Sequence, residues 1–250
     1  MIEHMFCFVK GVLDTAPGIY HNQICGVILM CGRFSLIPDL DALQLRFQFQ
    51  EAGLSHHPRY NIAPSQEVLT VIKEGVRNHA QFMKWGLIPS WARDPAMGNR
   101  MINVRAETVA EKPSFRQAFQ RRRCLVPADG FYEWRRDGKH KVPMRIIIKS
   151  GEPFGFAGLW ETWESPWGQM VKSCTIITTT ANPVLEPIHH RMPVILPREA
   201  EGLWLDVTSP DTAPLRQLLV PYAPEEMRSY AVSALVNSPA YDSPVCIAPV

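Results

Sequence analysis

The chain has 250 residues, 46% of them hydrophobic and 20% charged, with 26 Lys and Arg against 24 Asp and Glu and a formal net charge of +2. That composition suits a globular chain with one large core. So small a basic excess gives no general attraction for nucleic acid, which would need a local patch. No apolar run reaches the roughly 18–20 residues of a membrane span, and the first thirty residues carry no signal-peptide pattern. The six cysteines form no CxxC pair, which argues against a zinc site or a disulfide framework and for a reducing cytoplasm.

In chain order, residues 1–30 show no clear periodicity and read as an extension. From Cys31 onward, short apolar runs alternate with turn residues. Strands are predicted at Glu67–Lys73, Gln81–Leu87, Arg123–Pro127, Gly130–Arg135, Met144–Lys149, Phe154–Leu159, Ser173–Thr179, Met192–Leu196 and Arg228–Ser233, all rich in Val, Ile, Thr or aromatic residues. Helices are predicted at Ser114–Arg121, after Pro113, and at Asn182–His189, Arg198–Asp206 and Asp211–Leu219. The 22 prolines favour short elements over long helices. The expected class is α+β with a mostly antiparallel sheet, residues 31–250 forming one domain.

The stretch LMCGRFSL, residues 29–36, places Cys31 directly after a methionine. If translation starts at Met30 and that methionine is removed, Cys31 carries a free α-amine and a thiol on adjacent carbons. Such a pair condenses with an aldehyde to an imine and closes to a thiazolidine. At pH 7 roughly a tenth of α-amines are neutral, against well under a thousandth of lysines, and the thiol is a usable nucleophile. With residues 1–30 attached, the Cys31 nitrogen is an unreactive amide. Internally, a lone cysteine is ordinarily a small core residue.

Four further stretches carry candidate chemistry. In INVRAET, residues 102–108, Asn103 and Arg105 lie two apart and share a side of an extended segment; Asn103 can hydrogen-bond an amine and Arg105 a phosphate. In GFYEW, residues 130–134, Glu133 sits between aromatics, as an acid–base group or as the outward residue of an alternating strand. In IHHRMP, residues 188–193, His189 can shuttle protons and Arg191 can hold a phosphate, or both serve a helix C-terminus. In KWGLIPSW, residues 84–91, Trp85 and Trp91 can stack on bases, although at least one is expected in the core. Arg121–Arg123 form a basic run able to meet phosphate.

MCGRF, YNIAPSQ, KWGLIPSWA, INVRAET, RCLVPADGFYEW, PFGFAGLWE, TIITTTAN and IHHRMPVIL, in that order, resemble the SRAP family of SOS-response-associated peptidase-like, or abasic-site-processing, proteins. The resemblance runs from Met30 to about Ser238. It implies a single α+β domain with a curved, barrel-like antiparallel sheet flanked by short helices and a basic groove for single-stranded DNA. It also implies a thiazolidine crosslink between the first residue, Cys31 here, and the aldehyde of an abasic site. The family's positioning asparagine matches Asn103, its catalytic glutamate Glu133 and its histidine His189. Arg33, Arg105 and Arg191 fall where the family meets DNA phosphates, and Pro64 and Trp85 in motifs lining the groove. No cofactor or metal is implied, the partner is abasic single-stranded DNA, and a monomer is expected. Val104 replaces the smaller residue expected between Asn103 and Arg105. Residues 1–30 are read as an upstream start assigned in error or a segment removed by proteolysis.

Three other readings stand beside this one. An N-terminal-nucleophile amidohydrolase also begins Cys-Gly, although Arg33-Phe34 replaces its aliphatic continuation. A cysteine peptidase would use Cys31, His189 and Glu133. A binding module for single-stranded DNA would form no covalent adduct.

Overall fold

Short strand-forming runs separated by Pro and Gly pair into two sheets in the computed structural model, which describes residues 32–50, 53–209 and 211–250. In chain order the elements are β1 (Phe34–Leu36), α1 (Leu40–Phe47), β2 (Arg59–Ile62), β3 (Glu67–Glu74), β4 (Arg77–Trp85), β5 (Asn103–Arg105), α2 (Pro113–Arg121), β6 (Arg123–Ala128), β7 (Gly130–Asp137), β8 (His140–Ile148), β9 (Phe154–Glu164), β10 (Met170–Thr180), β11 (Arg191–Pro193), β12 (Ile195–Leu196), α3 (Arg198–Leu205), α4 (Ala213–Gln217) and β13 (Met227–Ala231). The expected α+β class with a barrel-like, mostly antiparallel sheet is what the chain forms.

The larger sheet closes on itself. Strands β10, β4, β3, β6 and β9 pair in that order, and β9 pairs back with β10, giving a five-strand barrel. Only the β10–β4 step in that ring is parallel. β5 and β11 are added to the end of β10, and β12 to β9. The smaller sheet has the order β13-β8-β7-β1-β2. Its inner face shares the barrel's core: Phe34 packs edge-on against Trp85 and Phe156, with centroids 5.1 and 5.9 Å apart, and Phe131 packs against Phe156 at 6.0 Å. Its outer face is covered by the C-terminal segment, through a separate cluster of Tyr132, Val232, Val236 and Cys246.

The expected strands form, several of them longer than the apolar runs alone suggest. Met192–Leu196 divides into β11 and β12 at Val194, whose N–H turns to Ile177 O at 2.8 Å. The expected helix at Asn182–His189 does not form. Asn182 O accepts from Glu186 N as a first helical turn would, but Pro187 has no N–H to continue the ladder, and Leu185 O starts a second turn with Ile188 N and His189 N. The side chain of Asn182 secures this double turn by accepting from Val184 N and Leu185 N. β1, β2, β5 and α1 are absent from the predicted strands and helices, β5 reading in the sequence only as an extended segment and α1 being capped by the Asp39 side chain on Ala42 N.

Candidate active site

Strand alternation decides which residues of β1 and β7 meet. Phe34 lies across from Phe131, both facing the barrel, and Tyr132 N donates to Arg33 O at 2.9 Å. Continuing this antiparallel register sets Gly32 opposite Glu133, on the barrel-facing side. A Cβ on Gly32 would lie 3.8 Å from both Ile102 Cδ1 and Pro64 Cγ. Gly32 therefore sits where the strand carrying Glu133, the turn carrying Pro64 and the residue before Asn103 converge. Glu133 is buried, only 4% exposed. Cys31 lies outside the described residues.

Asn103 opens β5, which runs parallel to β10 with Asn103, Val104 and Arg105 beside Ile176, Ile177 and Thr178. On the other side of β10, Thr178 pairs with Pro193 and Thr180 with Arg191. Paired residues project to one face, so Asn103, Arg105 and Arg191 share a face of β10. Asn103 is half-buried and Arg105 exposed. Val104 is buried in the core, so the larger side chain at that position adds packing.

His189 is half-buried at the end of the double turn, with its ring 4.3 Å from that of His190. Its Nδ1 lies 3.1 Å from Arg191 N and 3.4 Å from Arg191 O; the shorter contact, in which Nδ1 accepts, favours the neutral ring with its proton on Nε2. Burial lowers its pKa below the ordinary value of 6.5, and the charges of His190 and Arg191 lower it further, against the opposing backbone contact with Arg191. The neutral ring therefore predominates at pH 7.

Several candidates take positions other than those expected. Arg33 is 2% exposed and turned to the outer face of the small sheet, as the register with Tyr132 requires. Its Nη1 donates to Asn61 Oδ1 at 2.8 Å and to Val236 O at 2.7 Å, and burial lowers its pKa to about 10. It is a structural cation with no open face for phosphate. Trp85 is likewise fully buried, its Nε1 donating to Ile102 O at 2.9 Å; it supports the residue preceding Asn103 from within the core, whereas Trp91 is 58% exposed. Arg191 is buried and bound to Glu107, with Oε1 at 2.5 Å and Oε2 at 2.9 Å, and to Thr178 O at 2.6 Å. In the basic run, Arg123 binds the Phe119 and Gln120 carbonyls at the end of α2, and Arg122 pairs with Glu161 at 2.7 Å.

Sequence reasoning passed over Glu107 and Asn61. Glu107 lies two residues beyond Arg105, the spacing that singled out Asn103 and Arg105, and the Arg191 contact holds its pKa below the ordinary 4.5. Nothing beyond its place in YNIAPSQ distinguishes Asn61, which donates from Nδ2 to the carbonyls of Val236, Ser238 and Tyr241.

Comparison with known proteins agrees with this architecture. The family profile "SOS response associated peptidase (SRAP)" matches residues 30–239. Abasic site processing protein YoqW of Bacillus subtilis (strain 168) is 50% identical over 222 residues, covering 87% of this chain and 99% of that one. Abasic site processing protein HMCES of Xenopus tropicalis is 32% identical over 263 residues, covering 88% and 78%. Among solved structures, a protein from Bacteroides thetaiotaomicron superposes with a TM-score of 0.79 at 29% identity, covering 88% of this chain and 100% of that one. The chain belongs to the SRAP family, whose relatives include abasic site processing proteins.

Proposed function

We propose that this chain recognises abasic sites in single-stranded DNA and captures them covalently through Cys31 as the first residue of the mature protein. Membership of a family with abasic-site-processing relatives supports the lesion class. The observation that carries the chemistry is the position of Gly32, bonded to Cys31 and set among Glu133, Pro64 and Ile102. An aminothiol attached there acts beside a buried carboxylate and the strand of Asn103.

In this mechanism the α-amine nitrogen adds to the sugar aldehyde carbon and the oxygen takes up a proton. The carbinolamine loses water to give an imine. The Cys31 sulfur then adds to the imine carbon, its proton passing to nitrogen, and the five-membered ring closes with no further loss, so that the whole sequence releases one water. Glu133 serves as proton acceptor and donor, the neutral His189 offers the proton on Nε2, and Asn103 orients the amine. Arg105, exposed on the same face of β10, is the phosphate contact. An imine that fails to close is open to β-elimination, a minor lyase reaction. The active form begins at Cys31, through initiation at Met30 or removal of residues 1–30, and acts in the cytoplasm.

Protein beginning at Met30, incubated with single-stranded DNA bearing one abasic site, is expected to give a conjugate that survives heating in a denaturing gel. Its mass should equal protein plus DNA less one water. Cys31→Ala should give none. A heat-stable conjugate formed equally well by Cys31→Ala would refute the proposal.

A further inference from the structure

The contact between Glu107 and Arg191 joins the two segments that carry the candidate chemistry on either side of β10. Glu107 follows β5 in a short 3-10 turn, Ala106–Thr108, two residues after Arg105. Arg191 opens β11, two residues after His189. Both guanidinium Nη atoms are engaged by the two oxygens of Glu107, and Nη2 also donates to Thr178 O in the strand between them. Such a two-point carboxylate pair fixes orientation as well as distance. The Arg191 side chain is 8% exposed, whereas that of Glu107 is 49% exposed. The guanidinium is thus committed inward, and the carboxylate reaches in from the surface to hold it.

The backbone of Arg191 does a second job: its N–H lies 3.1 Å from His189 Nδ1 and its carbonyl oxygen 3.4 Å from the same nitrogen, so the position of this residue decides which of the two Nδ1 bonds to. The titratable or charged groups beside the His189 ring are His190, whose ring lies tilted with its centroid 4.3 Å away, and Arg191; Glu107 lies directly beyond Arg191, with Arg105 near Glu107. We propose that Glu107 is a positioning residue. Through its two-point pair with Arg191 it braces the Asn103 strand against the His189 turn and keeps His189 in the tautomer with Nδ1 accepting and Nε2 protonated. This rests on the reading of His189 as a proton donor in crosslinking. It gives Arg191 a role in holding that donor beside the phosphate contact that the resemblance implies.

The test compares wild type, Glu107→Ala and Glu107→Gln, all beginning at Met30, by two independent measurements. The first is the nitrogen-15 spectrum of the His189 imidazole near pH 7.5, which distinguishes the tautomers and needs no DNA. Wild type is expected to show one tautomer, with the proton on Nε2, and Glu107→Ala a mixture. Glu107→Gln, which keeps one acceptor for Arg191 if the alanine variant folds poorly, should lie between. The second is the single-turnover crosslinking rate on abasic single-stranded DNA. It should fall about tenfold in Glu107→Ala, part of the 10²–10⁴ that a placed proton donor contributes, and less in Glu107→Gln. An unchanged tautomer in both variants would overturn the proposal. So would faster crosslinking with a steeper salt dependence in Glu107→Ala, because Glu107 would then only have been shielding Arg191 from phosphate. Absence of crosslinking in wild type would count against the proposed function and leave the tautomer result to judge the brace.

Discussion

At the scale of single residues, burial separates arginines that look alike in the sequence. Arg33, Arg105 and Arg191 all lie in motifs with nearby candidate catalytic groups, yet only Arg105 is exposed. Arg33 gives up two hydrogen bonds to buried partners if it is truncated, and Asn61 Oδ1 and Val236 O lose a charged donor. Removing one partner from such a buried, charge-assisted contact costs about 3 kcal/mol. Arg33→Ala is therefore expected to lower the unfolding free energy by that amount, while the salt slope of binding to single-stranded DNA stays at the wild-type value. Equilibrium unfolding and a salt titration of binding check this; a slope reduced by about one with unchanged stability would return Arg33 to the phosphate contacts. Asn103 and His189 stand out in the sequence through the two-residue spacing to Arg105 and Arg191, and Glu133 through its place between aromatic residues. Sidedness was less legible at Arg33 and Trp85. Which face of a strand meets the core depends on register with a partner distant in sequence, here Tyr132 for Arg33 and Cys174 for Trp85.

At the scale of elements, strands that carry runs of Val, Ile and aromatics could be read directly, because burial on both faces demands them in a closed barrel. β1 and β2 escaped, being three and four residues long and partly polar, and α1 escaped because only Leu43 and Phe47 are buried on it. The connection from β4 to β5 shows how an irregular segment can still place a site strand. Gly86 N bonds to Cys174 O at 2.8 Å, Leu87 N to Met101 O at 3.1 Å, and the loop then folds across itself at Gly86 and Gly98. A Cβ on Gly86 would stand 2.6 Å from Gly98 O, and one on Gly98 the same distance from Gly86 O. Gly86 also has φ +128°, a backbone region that side chains disfavour. The two backbones touch, so neither position can give way to a side chain. Gly86→Ala is expected to cost about 3 kcal/mol through strain and collision. Because this crossing sets Ile102 and Asn103, amide exchange across Asn103–Arg105 should accelerate more than exchange in β8. Uniform acceleration across both would detach the crossing from the placement of β5.

At the scale of the molecule, the small sheet joins the barrel through one shared core, and the C-terminal segment closes its outer side. Among the described residues β2 is an edge strand of that sheet, with β1 as its single strand neighbour. An open edge of this kind leaves backbone N–H groups in search of acceptors. Asp242 supplies them: its carboxylate accepts from the backbone N–H groups of Tyr60 and Asn61 and from Arg59 Nε. Asn61, anchored at the same place, reaches three carbonyls of the C-terminal segment and receives Arg33. Asp242 lies beyond the residues matched by the family profile, yet it closes the edge next to the strand that leads to Gly32. Asp242→Ala removes a partly exposed, charged acceptor from three donors and is expected to cost about 2–3 kcal/mol; Asp242→Asn, which keeps a neutral acceptor, should cost about 1 kcal/mol. Because Phe34, Ile62 and Phe131 of the small sheet belong to the same core as Trp85 and Phe156 of the barrel, the loss should appear as one transition at lower urea with an unchanged m-value. Tryptophan fluorescence and far-ultraviolet dichroism would follow it together. Separate midpoints for the two signals, the earlier belonging to the small sheet, would mean that the barrel stands without it and that the edge bonds stabilise a detachable layer.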